Sequence, residues 1–260
     1  MTTMSKSLCL SALVLLGFSL ASPLSAGILV GAPGDAGVGD CIPFGCSDAS
    51  VFQQVYSSSI FSGPTTVAGL TFFLNNFDNT DPLTGNPILP DTIYPANYTI
   101  TLSVVQVPVD GLDTFVDNNL DPATSALFFQ GFLNSTVSGQ FTIQTTPGNY
   151  FRYDPSLGNL LLDIRNDGSD PSITMYADIN SASGGLFSSA YDSDPHPAGC
   201  PDGSLGLTTG CATAEYGLVT EFNTPSDFGA AVPEPVSAFL TFAGLIALGL
   251  GARRSCASPK

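Results

Sequence analysis

The side chains with the clearest capacity for chemistry are acidic, and they fall in clusters. Asp110, Asp113, Asp117 and Asp121, with Asn118 and Asn119, crowd carboxylates and amides into one stretch. Calcium takes oxygen donors of this kind, and an ion there would offset repulsion within a strongly negative chain. The same residue types are also the usual residues of turns, so a structural calcium site and a plain acidic loop both fit. A second stretch, Asp163 to Asp170, imitates an EF-hand loop and fails in detail. Position 3 is Arg165 and position 12 is Thr174, where that loop needs an oxygen ligand and a glutamate.

Nucleophilic catalysis has little to draw on. The single histidine, His196, lies between Pro195 and Pro197 without a Gly-x-Ser-x-Gly motif nearby, so a Ser/His/Asp arrangement lacks a recognisable setting. Glu215 and Glu221 flank a strand six residues apart, and such carboxylates keep a secreted glycoside hydrolase open as an alternative. A carbohydrate-binding surface would rest on tyrosines such as Tyr150, Tyr153 and Tyr191, because the chain has no tryptophan. No catalytic residue is assigned, and the leading expectation is a non-enzymatic protein.

Charge excludes more than it suggests. The formal net charge is −16, yet between residues 27 and 232 the only cations are Arg152 and Arg165, and that stretch alone carries −19. A phosphate backbone needs Lys and Arg to replace its counterions, so nucleic acid is not a partner. Without a lysine there, Schiff-base and P-loop chemistry are out as well.

Cys9 and Cys256 lie in the terminal segments, which leaves Cys41, Cys46, Cys200 and Cys211. Four cysteines allow three pairings. Gly- and Pro-bearing loops favour Cys41 with Cys46 and Cys200 with Cys211, in an oxidising compartment. Zinc would want Cys-x-x-Cys spacing or added histidines, and neither is present.

The elements that must position these residues are strands. Tyr98, Ile100, Leu102 and Val104 alternate with Thr99, Thr101 and Ser103 in strict period two. Ile173, Met175, Ala177 and Ile179 repeat the pattern, as do Phe141 with Ile143, and Tyr216, Leu218, Thr220 and Phe222. Val67 to Leu74, Ala126 to Leu133 and Leu160 to Ile164 are further strands, the last so apolar that it should be central. Val51 to Ile60 shows the only helical spacing and also reads as a strand, while residues 75 to 97 and 108 to 122 read as turns and loops. Without an internal repeat, many short strands predict an all-β fold, a single antiparallel sandwich or jelly roll spanning residues 27 to 232.

Both termini carry addresses. Lys6, the apolar run Leu8 to Leu20 and Pro23-Leu24-Ser25-Ala26 form a signal peptide over residues 1 to 26, with cleavage expected after Ala26. At the other end, Val236 to Ala252 gives 17 uncharged residues, the lower limit for a membrane helix. Pro233, Glu234 and Pro235 precede it and Arg253 with Arg254 follow. The arginines hold that end in the cytoplasm and so place the strand-rich part outside. The two prolines keep the peptide before the helix extended, a form a processing enzyme can bind.

This trio of Pro-Glu-Pro, short apolar helix and basic end resembles the PEP-CTERM sorting tail of exported Gram-negative proteins. On that resemblance, residues 233 to 260 are a sorting tail with Pro233, Glu234 and Pro235 as its signature and Arg253 and Arg254 as its basic stop. The resemblance implies a transient hold in the inner membrane, cutting by an exosortase, and release to the cell surface or beyond among extracellular polysaccharide. The stretch from Tyr150 through Tyr153-Asp154-Pro155 and Gly158-Asn159 to Ile164 resembles one found in other exported bacterial β-sandwich proteins, where the turn leads into a core strand. It is read as a mark of fold, with no activity attached.

Overall fold

The protein is seen in a computed structural model that describes residues 27–34, 39–46, 50–75, 91–113, 115–146, 148–168, 172–180, 184–192, 211–214 and 216–228. Along the described residues run β1 (Ile28–Val30), β2 (Gly39–Asp40), β3 (Val51–Tyr56), β4 (Thr65–Val67), β5 (Gly69–Phe73), β6 (Ala96–Val105) and β7 (Ala126–Leu133). Then follow β8 (Gln140–Gln144), β9 (Phe151–Tyr153), β10 (Asn159–Asn166), β11 (Ala177–Asn180), β12 (Phe187–Asp192), β13 (Cys211–Ala214), β14 (Gly217–Leu218) and β15 (Thr220–Asn223). All pair antiparallel. The sheets are a six-stranded β13-β12-β3-β10-β6-β7, a four-stranded β1-β15-β5-β8, a three-stranded β14-β11-β2 and a two-stranded β4-β9.

Burial explains the order. β10 is apolar from Leu160 to Leu162 and buried on both faces, so it lies inside the larger sheet, with Leu162 opposite Gln54 of β3 and Leu102 of β6. That central place is the one its apolar run predicts. β6 follows the period-two reading, with Tyr98, Ile100 and Leu102 wholly buried and Asn97 exposed. Val51 to Ile60 divides into β3 and a 3-10 turn over Ser58–Ile60, so its helical spacing comes to nothing longer. Val67 to Leu74 spans the end of β4 and all of β5, which belong to different sheets. Tyr216 to Phe222 likewise splits into β14 and β15. Ile173 and Met175 fall outside any strand; β11 begins only at Ala177. Alternation marks which side chains are buried, and it cannot tell one long strand from two short ones that change sheets.

One apolar cluster joins the two larger sheets. Tyr56 stands edge-on to Phe222 at 4.9 Å and donates a hydrogen bond to Thr220 Oγ1 at 2.9 Å, linking β3 to β15. A small loop, Cys41 to Cys46, plugs the same core. Its disulfide closes the loop as expected, and Phe44 at its tip is fully buried against Phe72 at 4.7 Å, Phe141 at 5.1 Å and Tyr98 at 5.5 Å. Gly45 lets the plug seat, because a Cβ there would run into the carbonyl oxygen of Met175. Three aromatic contacts about one ring add packing specificity beyond the area buried.

Among the described residues no helix is long and apolar enough to cross a membrane. The expected signal segment 1–26 and apolar helix 236–252 lie outside the described residues.

Candidate functional site

The acidic stretch that carries the calcium expectation lies across one face of the six-stranded sheet. Residues 106 to 125 leave β6, form 3-10 turns at Val109–Gly111 and Val116–Asn119, and return to β7. Leu112 and Val116 are buried, and Leu112 joins Val55, Val105, Leu161 and Ala190 in a second apolar cluster on this face. The segment is therefore a strap rather than an open loop.

Polar groups fasten it. Gln53 of β3, wholly buried, donates from Nε2 to Asp163 Oδ2 at 2.7 Å and to the Val116 carbonyl at 2.9 Å. Its Oε1 accepts from Asn119 Nδ2 at 2.8 Å. Asn119 also donates to the Asp113 carbonyl and accepts from the Asp113 amide at 2.7 Å. Arg165 completes the group, donating from Nε to Asp163 Oδ1 at 2.9 Å and from Nη2 to Asp117 Oδ1 at 2.8 Å. Burial alone would lower the Arg165 pKa, but its bonds and charge attraction to Asp163 and Asp117 carry it above the ordinary value. A buried carboxylate is tolerated only when paired and hydrogen-bonded, and Asp163 has both.

Three of the four candidate aspartates bond to separate partners. Asp113 accepts from Asn118 Nδ2 and the Phe115 amide, and those two bonds hold its pKa below the usual carboxylate value. Asp117 pairs with Arg165, Asp121 Oδ1 accepts from the Ala123 amide, and Asp110 is exposed within the first 3-10 turn. Among the described residues no three His, Cys, Asp or Glu side chains gather as a metal site would require. The bonds of Asp113 and Asp121 to amides and of Asp117 to a guanidinium give these three a part in shaping the turns and the strap.

The Tyr-Asp-Pro stretch is a second fastening. Asp154 Oδ1 caps the 3-10 turn Pro155–Leu157 by accepting from the Ser156 amide at 2.9 Å, while Tyr153, buried, donates to the Gly158 carbonyl at 2.7 Å. Gly158 has φ +142°, and a Cβ there would sit 2.5 Å from the Val105 carbonyl oxygen. Asn159 ties three elements: its Nδ2 donates to the Val107 carbonyl at 2.9 Å, and its Oδ1 accepts from the Ser58 amide at 2.9 Å. Each residue of the motif thus has a structural task at the entry to β10.

Of the tyrosines considered for sugar binding, Tyr153 belongs to the core beneath Phe61, which removes it from any platform. Tyr150 and Tyr191 are half-buried. Burial first, and then the carboxylate of Asp40, raises the Tyr191 pKa; the same two causes raise that of Tyr216, whose hydroxyl donates to Asp40 Oδ2 at 3.4 Å. Glu221 points away from the core, between the buried Thr220 and Phe222, beside Leu29 and Thr71. His196, Glu215, Cys200 and the tail residues Pro233, Glu234, Pro235, Arg253 and Arg254 lie outside the described residues; Cys211 is in β13.

Sequence reasoning passed over Gln53, Gln54 and Asn119. Gln54, also wholly buried, pairs its amide with the main chain of Leu218 at 2.8 and 3.1 Å, as a strand would. The signal was present as two adjacent glutamines inside the apolar run Val51-Phe52-Gln53-Gln54-Val55-Tyr56. Neighbours in a strand point to opposite faces, so in a central strand both must find partners.

Compared with known proteins, the chain matches no family model, no curated sequence and no solved structure.

Proposed function

We propose that this chain is an exported, non-enzymatic surface or matrix protein, sorted through a PEP-CTERM-like tail and associated with extracellular polysaccharide. The observation that carries the reading is the order Pro233-Glu234-Pro235, uncharged Val236 to Ala252, then Arg253-Arg254, opposite an N-terminal export signal. An exosortase-type membrane protease is the partner this order calls for. The disulfide-held plug supports the reading, because disulfides form and persist in oxidising compartments. The buried polar groups support it too, since they are engaged in holding strands, strap and turn together. We read the two larger sheets as the layers of one sandwich, in keeping with the Tyr56–Thr220 bond and the plug between them.

The test is the tail itself. With Pro233→Ala, Glu234→Ala and Pro235→Ala combined, the full-length form is expected to accumulate in the inner membrane. The unaltered chain is expected outside the cell without its basic end. Immunoblots of membrane and extracellular fractions decide, and release of the triple variant at unchanged rate and size would refute the reading.

A further inference from the structure

We propose that Glu221 receives the N-terminus that signal cleavage creates: once the chain is cut after Ala26, the Gly27 α-ammonium pairs with the Glu221 carboxylate and fastens the outer end of β1. The pairing presupposes the export proposed for this chain and adds what the fold does with the cut. Hydrolysis of the Ala26–Gly27 bond by a signal peptidase consumes one water. The Ala26 carbonyl leaves as a carboxylate on the signal segment, and the Gly27 nitrogen becomes an ammonium with three donors in place of an amide with one.

Strand alternation brings the two groups together. β1 runs beside β15 with Leu29 opposite Glu221 and Ile28 opposite Phe222. Gly27 and Leu29 therefore share the outward face with Glu221, and Gly27 is its diagonal neighbour. The glutamate side chain lies over that neighbour: a Cβ at Gly27 would sit 2.5 Å from Glu221 Oε1 and 3.0 Å from its Cγ and Cδ. Covalent geometry then holds the Gly27 nitrogen within about 5 Å of that oxygen, a gap that rotation about the glutamate side-chain bonds closes to ion-pair distance. Glycine leaves this place to the carboxylate, where another first residue would push it aside.

Charge makes the pairing selective. Among the described residues no donor bonds to the Glu221 carboxylate. Between residues 27 and 232 the side-chain cations are Arg152 and Arg165. Arg165 is bonded to Asp163 and Asp117, and Arg152 stands opposite Thr66 in the two-stranded β4-β9 sheet. Leu29 and Thr71, which flank Glu221 across the sheet, carry no charge. The cut thus supplies a new cation beside a carboxylate that has none. β1 gains most from it, being three residues long, at a sheet edge, with β15 as its one strand partner among the described residues. A strand end of this kind frays unless it is tied down.

The test uses the exported chain as isolated from its cells, with its first residue read by mass spectrometry; Gly27 is expected. Reductive methylation of the α-amine, followed against pH on the N-terminal peptide, should show it titrating above the ordinary range of about 7.7 to 8.0 and returning there in Glu221→Gln. Hydrogen exchange across Ile28–Val30 should run about two- to fivefold faster in Glu221→Gln and equally fast in the unaltered chain once its α-amine is acetylated, with no further gain when the two changes are combined. A chain cut to a different first residue would overturn the pairing and leave export standing, whereas an uncut chain would overturn both. An ordinary α-amine titration, or effects of acetylation and Glu221→Gln that simply add, would overturn the pairing alone. If the variant misfolds, the titration and the acetylation of the unaltered chain decide.

Discussion

Gly158 shows how a single residue fixes the entry to the central strand. Its φ of +142° and the 2.5 Å approach that a Cβ would make to the Val105 carbonyl act against any side chain. Gly158→Ala should therefore cost about 2 to 4 kcal/mol, the sum of backbone strain and forced displacement of β6. A fall in the urea midpoint of that order, with an unchanged slope, would bear this out; a neutral result would mean that the turn relaxes freely. Residues of this kind were legible in the sequence, because Pro155, Gly158 and Asn159 have backbone preferences that act locally. Asp163 was not. In the sequence it heads a string of acids that imitates a metal loop, whereas in the fold it lies in β10, buried between Gln53 and Arg165. Its partners come from β3 and from two residues further along its own strand, and only the pairing register makes the first a neighbour.

Two elements, the plug and the strap, are held by means that predict different failures. The plug is closed covalently over a loop of five-residue separation, so replacing both Cys41 and Cys46 by serine should cost about 2 kcal/mol through the freed unfolded chain. Phe44→Ala should cost more, about 3 to 5 kcal/mol, because it empties the place where Phe72, Tyr98 and Phe141 meet. Thermal or urea unfolding of the two variants ranks them, and the reverse order would mean that the loop and not its ring organises the core. The strap has no covalent tie. Asn119→Ala would leave Gln53 Oε1 buried without its donor, a loss of about 1 to 3 kcal/mol. Hydrogen exchange should quicken across residues 106–125 before the sheet amides respond. The sequence marked that segment as turns from its Asp, Asn and Gly content, and it ranked β10 as central from a nearly continuous apolar run, Leu160 to Ile164, broken by Asp163 alone. It could not show that the turns lie flat on a sheet. The apolar residues that seat the strap, Leu112 and Val116, stand four apart, a step that the helical and the strand periods both contain, so their spacing points to neither element.

Taken whole, the molecule joins a strongly acidic surface to a core rich in buried phenols, and pH acts on the two in opposite directions. On the acid side, the hydrogen bonds of Asn118 and Phe115 keep the Asp113 carboxyl ionised below its ordinary range. What that contributes is present above about pH 4 and is lost as pH falls through the lowered value. The alkaline side is governed by Tyr56 and Tyr98, whose pKa values burial pushes far above the ordinary 10.0, with Tyr153 pushed up to about 12. A raised folded-state pKa gives stability that is complete below the unfolded value and drains away as pH climbs toward the folded one. Above about pH 10 the unfolded chain ionises these phenols while the folded chain cannot, so Tyr56 and Tyr98 should each remove about 1.4 kcal/mol per pH unit. Arg165, held above its ordinary pKa by its two aspartates, keeps its charge over the same interval, so the strap is not the part that yields first. Stability from urea titrations should be nearly level through neutral pH and drop steeply beyond about pH 10, with tyrosinate absorbance appearing together with the loss of circular dichroism. Tyr98→Phe should make that descent shallower by one phenol's share. Tyrosinate absorbance from these residues in a chain that keeps its full circular dichroism would instead show that alkali reaches the core without unfolding it.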